Sequence, residues 1–421
     1  MAPGVAAQPK PRGFPLDQDP TRRWAYSLRE ASRTILVDLG AGDYFRGLVT
    51  CGYPSPMSLN RETLSVGIYA DPEGGVRARV AGLLTCGSVW ACPVCATTAA
   101  DERSEALARV VARRWSKGWR VAHAVLTVRH TRGEPLTDVL GALTTAWRHL
   151  VSHRRVKKLL RGWDWHRGVE ITYGKNGWHP HVHLLLLSPP GVDPYLLEEP
   201  LWEAWEAAVR AVGWAPSSRG GYVYQVPSSE EDVVEVARYQ EKWGAVREAS
   251  GGPQKRGGAG LSPWELLELA AQEVVLRYEE DEVGVPGVRL DTPGLLRPPR
   301  PARGFAVSPG VAQALWVEYV EATKGRKRTG TSRGLGLELR QELEALQAEW
   351  NPGELQAVVR LDIRAYMWLL RTARLAYWLH WLEVAGPEVA AELVGLVPDE
   401  WTVLMVQRAP PQNAPLESAG V

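Results

Sequence analysis

The chain has 421 residues, 45% hydrophobic and 23% charged, with 49 basic against 48 acidic side chains and a net charge of +1. That size and apolar content suit a soluble protein of two or three domains, and no apolar run is long enough to span a membrane. The Ala-, Pro- and Arg-rich N-terminus lacks the apolar core of a signal peptide, so a cytoplasmic location without a membrane partner is expected; balanced charge leaves any nucleic-acid contact to local patches.

Residues 1–44 read as a Pro-rich, disordered tail, and 409–421 as a second one. Residues 45–117 carry all four cysteines and end in a helical pattern over 99–115. Cys86-x5-Cys92-Pro-Val-Cys95 contains a CxxC arm of the zinc-binding type. Cys51 is the remaining thiol that could complete a structural Zn²⁺ site, with a histidine such as His130 as the substitute. Disulfides are not expected in a reducing compartment.

Residues 118–335 alternate strand and helix patterns, with a Pro/Gly-rich linker at about 282–305. A strand over 121–128 precedes a helix marked by Leu136, Leu140, Leu143, Trp147 and Leu150 at spacings of four and three. Two strands follow, joined at Gly174-Lys-Asn-Gly177, then a helix near 194–212, a short strand near 221–226 and a helix near 230–242. This order predicts an α+β domain, an antiparallel sheet with helices on one side. Residues 336–408 predict a mostly helical C-terminal domain, with amphipathic segments over 335–350 and 363–385.

The chemistry concentrates in Trp178-His-Pro-His-Val-His183, where His179, His181 and His183 alternate along one strand and leave it on the same face. If Asn176-Gly177 forms a two-residue turn of the type that needs positive φ, counting back pairs Glu170 with His183 and Thr172 with His181. Glu170, His181 and His183 then form a His-His-Glu set suited to Mn²⁺, Mg²⁺ or Zn²⁺ acting as a Lewis acid. His179, at the strand entrance, is a third ligand or a substrate contact. On the helix near 230–242, Glu235, Tyr239 and Lys242 share a face, and a cation near Tyr239 would lower the cost of using it as a nucleophile. From Arg148 to Arg167 basic side chains alternate with Trp163 and Trp165, a pattern able to hold phosphates while indoles stack on unpaired bases.

Taken together, His181-Val-His183, the Leu126-Thr-Val128 strand before it and the Tyr/Lys helix after it resemble the HUH endonuclease superfamily. More narrowly, the chain resembles the single-Tyr rolling-circle replication initiators of bacterial plasmids. The likeness spans about 50–335 and includes the cysteine segment Thr85 to Cys95, Tyr319-Val-Glu-Ala-Thr-Lys-Gly325 and Ser332-Arg-Gly-Leu335. It implies that Tyr239 attacks a phosphodiester of single-stranded DNA, leaving a 5′-phosphotyrosine and a free 3′-hydroxyl. It also implies that His181 and His183 hold the metal, Mn²⁺ or Mg²⁺. Phage-type members carry a second Tyr where this chain has Glu235, which resembles the plasmid type and would act as a base for hydrolytic termination. The implied partners are single-stranded and duplex plasmid origin DNA, a host helicase and a polymerase. The rival readings are a mobilisation relaxase or single-Tyr transposase, and a non-catalytic zinc-dependent DNA-binding regulator.

Overall fold

The computed structural model describes residues 20–59, 63–70, 75–241, 260–276, 288–289, 305–349, 353–387, 389–390 and 405–408. The helices are α1 (Pro20–Asp38), α2 (Arg46–Val49), α3 (Pro56–Leu59), α4 (Pro93–Ser116), α5 (Leu136–Ser152), α6 (Arg154–Leu159), α7 (Glu198–Ala211) and α8 (Glu230–Glu241), followed by α9 (Pro263–Ala271), α10 (Pro309–Thr323), α11 (Arg333–Ala348), α12 (Ile363–Arg371) and α13 (Leu375–Ala385). The strands are β1 (Thr63–Ala70), β2 (Val76–Val80), β3 (Arg120–Thr127), β4 (Asp164–Gly174), β5 (Gly177–Ser188), β6 (Val223–Gln225), β7 (Val275–Leu276), β8 (Val288–Arg289), β9 (Thr329–Thr331), β10 (Leu355–Asp362) and β11 (Met405–Arg408). None of these helices is long and apolar enough to cross a membrane.

A five-stranded antiparallel sheet, order β6-β3-β5-β4-β9, forms the centre. Helices cover both of its faces, which corrects the one-sided packing expected from the sequence. Ala122, Ala124 and Leu126 of β3 with Val182, Leu184 and Leu186 of β5 bury against Leu143 and Trp147 of α5 and Trp205 of α7. The opposite phase, Val121, Leu185 and Leu187, buries against Leu107, Val110 and Val111 of α4, Val233 and Ala237 of α8, and Leu335 of α11. The run Leu184–Leu187 carries the reason, since a strand without polar alternation has two faces to bury.

The second core differs more from expectation. Strands β11-β10-β1-β2 form a separate antiparallel sheet, in which β10 from the C-terminal region pairs with β1 along its length. Leu64 and Val66 pack there with Val359, Leu361, Tyr366, Leu369 and Trp378. The 336–408 segment is therefore not an independent helical domain, because half of its sheet comes from residues 63–80. Residues 20–38, read as part of a tail, form α1, whose Trp24, Leu28, Ile35 and Leu36 are buried. The Pro-rich composition of the preceding residues concealed that apolar periodicity.

Candidate metal and catalytic centre

The β4–β5 hairpin closes at Lys175-Asn176, with Gly174 opposite Gly177, rather than at Asn176-Gly177. Asn176 stays out of the left-handed region, while Gly177 adopts φ +83°. A Cβ on Gly177 would lie 3.0 Å from the Arg132 Cα and 3.1 Å from its carbonyl oxygen, so the chain passes too close there for a side chain. The pairing shifts by two relative to the expected register: Glu170 faces His181, and Thr172 faces His179. An even shift leaves every side chain on its original face, so the carboxylate still reaches both imidazoles. Glu170 Oε2 is 2.5 Å from His181 Nε2 and 3.1 Å from His183 Nε2.

Glu170, His181 and His183 can each offer a ligand atom within 4.8 Å of the others. Burial opposes ionisation of Glu170, but the adjacent His181 and His183 outweigh it and hold the carboxyl far below its usual range. His183 is pushed down to about 4 by burial against the Glu170 hydrogen bond. An ionised carboxylate beside imidazole lone pairs is a donor set that fits a divalent cation. His179 turns elsewhere: its Nδ1 lies 2.6 Å from His130 Nε2, and burial, then His181, lowers it to about 4.

A further imidazole escaped the sequence reading. The His123 ring of β3 meets that of His183 edge to edge, with rings 7° from parallel and His123 Nε2 3.2 Å from His183 Nδ1. Burial, then His183 and His181, lowers it to about 3. Its strand phase was visible, since His123 shares a face with Thr127. The pairing of β3 with β5 that makes this face the histidine face was not.

Helix α8 carries Glu235 and Tyr239, and its Val233 and Ala237 pack on the same side of the sheet as the histidines. Glu235 is exposed. The Tyr239 side chain and all of Lys242 lie outside the described residues.

The four cysteines converge. Cys51 Sγ is 3.7 Å from the sulfurs of both Cys92 and Cys95, and Cys86 Sγ is 3.7 Å from that of Cys95. Tetrahedral Zn–S bonds of about 2.3 Å put sulfurs about 3.8 Å apart, whereas a disulfide needs about 2 Å. Hydrogen bonding within the cluster lowers the Cys51 thiol and raises those of Cys86 and Cys92, so the four sulfurs share their protons unevenly and Cys51 is the first to ionise. Cys51 therefore joins the cluster, and His130 sits on His179 instead. Cys92 also caps α4, its sulfur accepting from the Cys95 N–H.

The basic stretch keeps most of its charges exposed and its two tryptophans half-buried. Arg148, Arg154, Lys157, Lys158 and Arg161 face solvent. Trp163 and Trp165 are half-buried and pack against the main core, Trp165 edge-on to Trp147 at 5.1 Å.

Residues 78–250 match the family model described as replication protein, a stretch containing three of the cysteines, the histidine strand and α8. Over that stretch the chain is similar to the replication protein family. The expected likeness to plasmid replication initiators is borne out. Over 317 residues it is 26% identical to Protein rep of Streptomyces lividans, covering 61% of this chain and 64% of that one. Protein rep of Streptococcus pneumoniae serotype 2 is 27% identical over 125 residues, 28% of this chain and 38% of that protein. A neomycin resistance protein of Streptomyces cyanogenus is 31% identical over 153 residues, 28% of this chain and 35% of that protein. The chain thus spans less than two thirds of the length of each of these relatives. No solved structure matches it.

Proposed function

We propose that this replication protein is a plasmid rolling-circle initiator of HUH type that nicks and rejoins one strand of origin DNA through Tyr239. The observation that carries the reading is the Glu170–His181–His183 cluster, which lies within the family match and on the sheet face that packs α8. Those three side chains would hold Mn²⁺ or Mg²⁺, which when bound supplies Lewis-acid polarisation of a phosphate oxygen. Tyr239 Oη attacks phosphorus, the P–O3′ bond breaks, and the tyrosine proton leaves as the 3′-oxygen gains one. The product is a 5′-phosphotyrosine and a 3′-hydroxyl that a host polymerase extends, with a host helicase opening the duplex. Lys242 lowers the cost of the tyrosinate. At termination Glu235 takes a proton from the water that releases the linked strand.

Cys51, Cys86, Cys92 and Cys95 hold a structural Zn²⁺, on the strength of their tetrahedral spacing. The reaction belongs to the cytoplasm, where plasmid and replication machinery meet. Incubation with single-stranded origin DNA and Mn²⁺ should give a covalent adduct on a denaturing gel. Tyr239→Phe should abolish that adduct, and Glu235→Ala should leave the first cleavage intact while slowing release. An adduct that survives Tyr239→Phe would overturn the assignment of the nucleophile. The absence of any adduct across origin sequences and metals would leave a zinc-dependent DNA-binding regulator instead.

A further inference from the structure

His123 belongs neither to the family motif nor to the three-donor cluster, yet it is 8% exposed and touches one of the donors. In register, His123 lies opposite Leu185 and Val125 lies opposite His183, so the His123 ring reaches diagonally across the strand pair to His183. The two nitrogens of His183 then have separate neighbours: Nε2 faces Glu170 Oε2 at 3.1 Å, and Nδ1 faces His123 Nε2 at 3.2 Å.

A neutral imidazole has one N–H and one lone pair, and a metal takes the lone pair. Which nitrogen keeps the proton is set by the partner of the other. Here the neighbour of the second nitrogen is an imidazole. We propose that His123 is a positioning residue that, when a cation takes the His183 Nε2 lone pair, accepts the Nδ1–H and so fixes the tautomer and ring plane that ligation beside Glu170 and His181 requires. This rests on the reading of Glu170, His181 and His183 as a metal site. His123 itself stays outside the set whose ligand atoms lie within 4.8 Å of one another.

The test uses the full chain, with Mn²⁺ titrated calorimetrically, and ¹⁵N imidazole shifts recorded with diamagnetic Mg²⁺ bound, because without a metal His183 Nε2–H donates to the Glu170 carboxylate. Wild type should bind Mn²⁺ and show His183 protonated at Nδ1. His123→Phe, which keeps ring volume but offers no acceptor, should weaken Mn²⁺ binding about 10- to 100-fold and give His183 mixed-tautomer shifts. His123→Asn, which retains an acceptor oxygen, should recover part of the affinity. Circular dichroism guards against misfolding, and if His123→Phe unfolds, the His123→Asn shifts decide. Wild-type affinity and an unchanged His183 tautomer in folded His123→Phe would overturn the proposal. A wild-type chain that takes up no Mn²⁺, with His181→Ala behaving identically, would overturn the metal reading beneath it.

Discussion

Five imidazoles follow one another across the site, from half-buried His130 to buried His123: His130, His179, His181, His183 and His123, with successive ring centroids 4.8, 5.2, 4.7 and 5.4 Å apart. Burial keeps His123, His179 and His183 neutral to about pH 3 to 4, against 6.5 for a free imidazole. Between pH 6.5 and 4 the unfolded chain binds protons that the folded chain refuses. Their contribution to metal-free stability is therefore complete above about pH 6.5 and is lost as pH falls toward 4. The melting temperature of the chelated protein should drop over that window, and His123→Phe should flatten the drop. A profile that is level from pH 7 to 5 would refute this account of the buried rings.

At the scale of elements, parity survives where register does not. The Asn-Gly signal placed the turn one residue late at each strand, because local turn preference could not anticipate the close passage of Gly177 past the Arg132 backbone. The face assignment held nonetheless, since side chains alternate with period two. Helix α6 teaches the opposite lesson. Its composition with neighbouring tryptophans suggested a single-strand platform, but the indoles pack half-buried against the core while the cations face solvent. A basic helical surface without stacking rings is suited to phosphates of duplex DNA. Lys157→Glu with Lys158→Glu should weaken duplex binding and reduce the salt-dependence slope by about 2, at about 0.9 per phosphate contact. Nicking of a single-stranded oligonucleotide should be unaffected. Unchanged binding and slope in a filter or anisotropy assay would remove this surface from the DNA interface.

Across the whole molecule, the cysteine cluster sits where separate layers meet. Arg33 of α1, ion-paired to Glu30, donates to the Cys51 carbonyl at 2.6 Å. Tyr366 of the second core donates to the Gly52 carbonyl at 2.6 Å. On the side of the five-stranded sheet, the Trp90 indole donates to the Arg326 carbonyl, and Tyr319 donates to the Trp90 carbonyl. A loop so tied depends on whatever fixes its thiolates, so stripping the metal should loosen both cores together. The protein as purified should contain one Zn²⁺ per chain, and a strong chelator or Cys92→Ser should lower its melting temperature. Full retention of thermal stability in a zinc-free chain would show that the cluster is not a structural node.

The sequence by itself determined what depends on local periodicity and residue chemistry. The three histidines share a strand face, Glu170 joins that face by parity, the CxxC arm marks a thiolate site, and Tyr239 lies on an amphipathic helix. These follow from two repeat lengths, 2 and 3.6, that need no knowledge of the rest of the chain. Only the tertiary structure decided which distant segments meet. It brought Cys51 to Cys86, Cys92 and Cys95, seated His123 on His183, paired β10 with β1 across most of the chain, and covered the central sheet on both sides. Each of these is a contact between residues dozens to hundreds of positions apart. Such contacts are selected by the burial of whole faces, a quantity that no short window of sequence contains.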